Sequence, residues 1–209
     1  MCNLYSMTTN QEAMRRLARV MHDNLGNQPP LPAIFPDQLA PVIRRDGQGE
    51  RSLDSLRWGF PPPPKLGNRP VTNVRNTAST YWLPWLGRGY RCLVPATSFC
   101  EYTDSLPKVP HWFALDASRP LFAFAGIWRP WAGERKKETR EHLLFSILTT
   151  AANDVVRPVH AKAMPVILTS EHWDSWLDGE TAQALSLARP LANEALKVVA
   201  TGLREDAAA

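Results

Sequence analysis

The sequence predicts a single α+β domain, mainly antiparallel β-sheet closing toward a barrel, with flanking helices near the two ends of the chain. Three observations lead there. The 19 prolines in 209 residues cluster at 29–36 and 61–64 and recur at Pro84, Pro95, Pro107 and Pro110, which forbids long helices through the middle of the chain. Between the prolines run short segments rich in branched and aromatic residues, the composition of half-buried strands. Only two stretches escape the prolines, and both carry helix signals.

The first helix is expected over 9–21, with Asn10 as its cap. Strands follow at 39–43, 56–60, 92–102, 112–115, 122–128, 143–149 and 164–168. Residues 132–141 (Gly133, Glu134, Arg135, Lys136 and Lys137 among them) read as a solvated hairpin loop. A second helix is expected over 170–187, where Ser170 and Glu171 precede the apolar Trp173, Trp176 and Leu177. The domain is expected to span 1–203, with a frayed tail over 204–209. No repeat of solenoid or propeller length is visible.

Composition narrows the functional classes. Hydrophobic residues make up 44% and charged residues 21%, ordinary for a folded domain and unlike a disordered or fibrous chain. There is neither an apolar run of membrane-spanning length nor a signal-peptide pattern, so a cytoplasmic protein without a membrane partner is expected. Lys and Arg number 24 against 20 Asp and Glu, a net charge of +4, which permits a nucleic-acid partner without requiring one. The three cysteines, Cys2, Cys92 and Cys100, match no zinc or disulfide framework. No metal-ligand spacing, glycine-rich phosphate loop or nucleophile elbow occurs, so no metal or cofactor is expected.

Cys2 is the most informative residue. Methionine is generally removed before a small second residue, and its removal here leaves an amine and a thiol on adjacent carbons. An α-amine titrates at about 7.7–8.0 and an ordinary thiol at about 8.5, so both nucleophiles are partly available near neutral pH. Such a 1,2-aminothiol condenses with an aldehyde: the amine forms an imine, and sulfur then closes a five-membered thiazolidine. By position alone, a chance cysteine beside the start is the simpler account. Three other segments carry chemistry. Thr72-Asn73-Val74-Arg75-Asn76 offers an amide that can orient an amine and a guanidinium that can grip phosphate, although alone it reads as a turn. Glu101 lies in a largely apolar strand, where a carboxylate tends toward a raised pKa suited to acid–base work, unless it is a strand-end residue facing water. His160 precedes an apolar strand and titrates in the range for proton shuttling. Cys92 and Cys100 read as small buried apolar residues.

Together these segments resemble the SRAP family, the SOS response-associated peptidases. The resemblance rests on Met1-Cys2, Trp58-Gly59-Phe60-Pro61, Asn73-Val74-Arg75, Arg91-Cys92-Leu93-Val94-Pro95 followed by Phe99-Cys100-Glu101-Tyr102, Phe124-Ala125-Gly126-Ile127-Trp128, Leu148-Thr149-Thr150-Ala151-Ala152-Asn153, and His160 ahead of Met164-Pro165-Val166-Ile167-Leu168. It implies a DNA-damage response protein that acts on abasic sites in single-stranded DNA, whose ring-opened sugar exposes an aldehyde. On that resemblance Cys2 forms the thiazolidine DNA–protein crosslink after self-catalysed removal of Met1, and Asn73 positions the amine. Glu101 is the general acid–base, and His160 assists proton transfer at the sugar. Arg75 and Thr149 hold flanking phosphates, and Pro36 and Trp58 occupy the place of a DNA-kinking wedge. The implied protein is a monomer, associated with the nucleoid when DNA-bound. Two other readings compete: a cysteine peptidase acting on other proteins through an N-terminal nucleophile, and a noncatalytic single-strand binder. The chain departs from the family pattern at Asn3-Leu4, where Gly-Arg is common, and in Asn73-Val74-Arg75-Asn76-Thr77, where Asn-Ala-Arg-x-Glu is common. It also carries one extra residue between His160 and Met164-Pro165.

Overall fold

After a short lead the chain forms β1 (Tyr5–Met7), α1 (Gln11–Ala18), β2 (His22–Asp23), β3 (Leu31–Ile34), β4 (Leu39–Arg45), β5 (Arg51–Trp58) and β6 (Asn73–Val74). It continues through β7 (Arg91–Ala96), β8 (Ser98–Tyr102), β9 (Pro110–Ala114), β10 (Phe122–Arg135), β11 (Glu138–Thr150), β12 (Met164–Pro165) and β13 (Ile167–Leu168). Two helices, α2 (Trp173–Asp178) and α3 (Thr181–Ser186), and a last strand, β14 (Lys197–Thr201), complete it. This computed structural model describes residues 2–63, 67–135 and 137–206.

The strands β11, β10, β7, β4 and β5 are hydrogen-bonded in that order, and β5 returns to β11 through the parallel pairs Arg57↔Leu144 and Trp58↔Phe145. That last pairing closes a five-strand barrel, which removes the sheet edges an open sheet would expose. A second sheet, in the order β14-β9-β8-β1-β3, packs beside it and places β1 between β8 and β3. The fold is therefore the expected one, an α+β domain dominated by antiparallel sheet with a closed barrel.

Residue alternation assigns the two faces of the barrel wall. Along β7, Cys92, Val94 and Ala96 join one apolar cluster with Tyr5, Trp58, Phe124 and Phe145, while Leu93 joins a second cluster with Phe60, Val74, Trp173 and Trp176. Both faces are buried, which is why these strands read as nearly continuous apolar runs.

Several elements differ from the sequence reading. Helix α1 starts where expected, Asn10 accepting from the Ala13 amide at 2.8 Å, but stops at Arg19, which turns left-handed at φ 52°. The expected helix 170–187 is broken: an extended Gly179 ends α2, and the buried Arg91 guanidinium donates to its carbonyl. The expected strand 92–102 turns a corner at Thr97, whose amide donates to the Ser6 carbonyl at 2.9 Å, so that β7 belongs to the barrel and β8 to the second sheet. The segment 164–168 likewise divides, β12 pairing with β11 and β13 with β10. In place of a hairpin loop over 132–141, β10 and β11 stay paired to Arg135↔Glu138, with Trp131 stacked on His142 at 5.9 Å. Lys136 lies outside the described residues.

The expected fray over 204–209 does not hold at Asp206, which is 1% exposed. Its carboxylate takes Arg119 at 2.8 Å and the Ser98 hydroxyl at 2.5 Å, and its amide donates to the Pro32 carbonyl at 3.0 Å. A polar chain continues from Ser98 to the Ser6 hydroxyl at 2.8 Å and on to Thr97 at 3.1 Å. Residues 207–209 lie outside the described residues. Asp206→Ala strips the buried partner from Arg119 and Ser98, so it is expected to cost about 3 kcal/mol, a fall of roughly 6–12 °C in Tm by thermal denaturation; an unchanged Tm would show that the anchor contributes nothing. Among the described residues no helix is long and apolar enough to cross a membrane.

Candidate active site

Cys2 lies just ahead of β1 and is wholly buried. The pairing of β1 with β8 continues toward it, the Cys100 amide donating to the Leu4 carbonyl at 2.9 Å. The Cys2 thiol donates to the Leu4 carbonyl at 3.6 Å. Its backbone carbonyl accepts from Asn73 Nδ2 at 2.9 Å, because the short β6 lies alongside β11 in register Asn73↔Ile147. Asn73 Nδ2 also donates to Thr72 Oγ1 at 2.7 Å, and that hydroxyl donates to Asn3 Oδ1 at 3.2 Å. The Asn73 Oδ1 is buried and, among the described residues, has no hydrogen-bond partner. A residue that already grips Cys2 thus keeps an unused acceptor.

Glu101 comes from β8, opposite His111, and is 4% exposed. Burial pushes its carboxyl up to about 7, with the negative charge of Asp104 acting in the same direction. Burial, reinforced by Glu101, raises the Cys2 thiol well above its ordinary range. The thiol is therefore neutral near pH 7, a correction to the partly ionised thiol expected from an exposed cysteine. His160 follows the turn in which its amide donates to the Val156 carbonyl at 2.9 Å. Burial and the positive Lys162 and Lys108 lower its pKa, so its ring is neutral near pH 7.

Glu101 and His160 share a cleft with Asn3, Tyr102, Asp104 and Lys108, of about 170 Å³. That is several times the roughly 30 Å³ share of one water in the liquid, so a group the size of a sugar fits. The structure thus brings Asn73 onto Cys2 and sets Glu101 and His160 in one cleft whose wall includes Asn3 and Leu4, the residues that follow Cys2. Sequence reasoning named Thr72 and Asn3 without giving them a part in the site, and it missed Asp104 and Lys108. The last two sit in the proline-flanked connection between β8 and β9, which gave no signal beyond its charge.

The remaining candidates are placed differently. Arg75 is exposed immediately after β6. Thr149 is only 5% exposed, and its hydroxyl donates to the Val74 carbonyl at 3.4 Å, bracing the segment that presents Arg75. Trp58 is corrected outright: it is fully buried, stacked 6.2 Å from Phe145, and its indole donates to the Thr72 carbonyl at 3.2 Å. Leu56 and Trp58 share the face of β5 that points into the barrel core, so the indole supports Thr72 and Asn73 and cannot wedge into DNA. Pro36 sits half-buried in the turn between β3 and β4, flanked by Phe35, 41% exposed, and Leu39, 50% exposed. Among the described residues no cluster of three His, Cys, Asp or Glu side chains is placed to hold a metal.

Comparison with known proteins agrees with the architecture. A protein from Bordetella bronchiseptica superposes with a TM-score of 0.74 at 24% identity, over 96% of this chain and 98% of its own. One from Bacteroides thetaiotaomicron gives 0.73 at 24% identity, over 94% and 90%. A phage-related protein from Bordetella bronchiseptica gives 0.70 at 23% identity, over 94% and 92%. These likenesses establish the fold. No curated protein matches the chain. The model of the SOS response associated peptidase family matches residues 1–202, nearly the whole length and every segment that builds the cleft, and the chain therefore belongs to the SRAP family.

Proposed function

We propose that this protein, acting in the cytoplasm as a monomer, caps abasic sites in single-stranded DNA by forming a thiazolidine between Cys2 and the lesion's aldehyde. The observation that carries the reading is the pairing of Cys2, held by Asn73, with a carboxyl tuned to about 7 whose charge is felt at the thiol. Hydrolysis of the Met1–Cys2 bond consumes one water and frees the Cys2 amine; Met1 itself lies outside the described residues. The amine adds to the aldehyde carbon to give a carbinolamine, which loses its hydroxyl with one proton as water and leaves the imine. The thiol then adds across the C=N bond, sulfur to carbon and proton to nitrogen, closing the ring with no further loss.

Each residue's part follows from its state. A neutral thiol needs a base as its sulfur attacks, and a carboxyl near pKa 7 is present in both forms at neutral pH, able to protonate the departing hydroxyl and then accept the thiol proton. Asn73, whose Oδ1 has no partner among the described residues, orients the amine. The neutral ring of His160 moves a proton at the sugar oxygen. Arg75, exposed at the rim, attracts the phosphate backbone.

Intact mass before and after incubation with an abasic single-stranded oligonucleotide tests the reading. The protein should first lack Met1, then gain the oligonucleotide's mass less one water, without reductant. A reactive protein that retains Met1, or an adduct trapped only with borohydride, would overturn it; cleavage of unrelated peptides would favour a peptidase with other substrates. Arg75→Ala is expected to weaken binding of undamaged single-stranded DNA and to reduce the slope of log K against log salt by about 0.7, the value for one lost contact on a single strand. A salt titration with an unchanged slope would remove Arg75 from the interface.

A further inference from the structure

Residues 75–90 fold over the outer wall of the barrel as turns and two short 3₁₀ segments, Leu83–Trp85 and Arg88–Tyr90. Their Trp85 and Tyr90 form a continuous row of rings with Phe60 and with Trp128 of β10. Phe60 meets Trp85 at 6.3 Å, Trp85 meets Tyr90 at 4.9 Å, and Tyr90 meets Trp128 at 6.0 Å. Two guanidinium groups contact this row: Arg44 is 4.3 Å from the Trp128 ring, and Arg129 is 4.2 Å from Trp85 and 5.9 Å from Phe60.

The two arginines differ in their charge balance. Arg44 is neutralised by Asp54 at 2.9 Å. Arg129 donates its Nε to the neighbouring Pro130 carbonyl at 3.2 Å and, among the described residues, has no carboxylate partner. A guanidinium this close to a tryptophan ring is held by the cation–π contact while N–H groups it does not use stay available for a phosphate. Tyr90 is 36% exposed, and an exposed ring beside such a cation is a stacking surface that accepts any base.

Position ties the row to the cleft. Arg129 faces Leu144 across the hairpin on the outer face of the wall, three residues along β11 from Ile147, the inner-face partner of Asn73, so a strand reaching both passes over the rim. With a rise of about 3.3 Å per residue and two strand spacings of about 4.8 Å, the backbones of Arg129 and Asn73 are roughly 14 Å apart. At 3.4 Å per stacked nucleotide that is about four nucleotides. We propose that this ring-and-arginine row is a second binding surface for single-stranded DNA flanking the lesion, Arg129 gripping a backbone phosphate and Tyr90 stacking on a base. The proposal rests on the DNA reading above.

Abasic oligonucleotides with two or with ten nucleotides on each side of the lesion test it. The parent protein should bind the long oligonucleotide more tightly than the short one. Arg129→Gln should weaken binding of the long one about fivefold at low salt and leave the adduct rate at saturating short oligonucleotide unchanged. Tyr90→Ser should weaken the long one likewise, and Arg129→Lys, which keeps the charge and loses the plane, should fall between. Variants with parental Tm that bind the long oligonucleotide as tightly as the parent would overturn the proposal. The same measurement on undamaged oligonucleotides of both lengths decides the row even if no covalent adduct forms, so failure of the crosslinking reading and failure of this one are separable.

Discussion

Cys2→Ala, with Met1 removed, is expected to abolish the heat-stable adduct while leaving binding of undamaged single-stranded DNA within about twofold, because phosphate and stacking contacts remain in place. The alanine variant keeps the amine, so it can still form an imine with the lesion's aldehyde. It lacks the sulfur that adds across the imine, so the product stays reversible and is retained only when borohydride reduces it. A denaturing gel run with and without reductant reads both outcomes at once. Reductant-independent adduct at parental yield would place the bond on another nucleophile. The wild-type cysteine packs among apolar groups, and alanine removes only the sulfur, so a Tm close to the parent's is expected to accompany the loss.

Glu101→Gln should slow adduct formation by about 100- to 10,000-fold, the usual worth of a positioned acid–base group, with little change in DNA affinity. The parent rate should bend near pH 7, the range to which burial has moved this carboxyl, and the bend should vanish in the variant. Stability separates a chemical role from simple misfolding. Because the folded-state pKa is raised, the carboxyl favours the fold fully below its unfolded value near 4.5 and loses that contribution as pH rises through about 7. Glutamine never ionises, so the variant should be at least as stable as the parent at pH 8 and show no such advantage at pH 4. A variant that reacts at the parental rate in single-turnover measurements, with Met1 already absent, would remove Glu101 from the reaction.

Local chemistry made much of this molecule legible in advance. Asn10 caps a helix because an asparagine oxygen suits a free amide, and nothing distant interferes. Strand segments were visible through their residue types, yet their ends were not, since the corner at Thr97 and the break at Gly179 depend on partners about 90 residues away, Ser6 and Arg91. Trp58 misled because its wedge role came from the resemblance alone, whereas the strand that was expected around it, β5, turns it inward. Asp206 misled for a related reason: a polar residue in a charged tail gives no hint that Arg119 and Ser98 await it. Glu101 was recognisable from its apolar neighbours, but the cleft wall it shares with Asp104 and Lys108 exists only once β8 and β9 have paired.

The hydrogen-bonded chain from Ser6 through Ser98 to Asp206 also orders events in time. Ser6 precedes Asp206 by 200 residues, so β1 can pair with β3 and β8 well before the carboxylate that completes this network is synthesised. Contacts this distant in sequence form late, because loop closure comes before any reward. Cys2, just ahead of β1, is therefore enclosed only once β8, about 100 residues further along, has been made. On the proposed reading, self-removal of Met1 must wait until Asn73 and Glu101 have arrived, whereas an enzyme that trims nascent chains need not. The two routes to the free amine are separated by the time the chain takes to fold, and a pulse of synthesis followed by rapid mass analysis would tell which one operates.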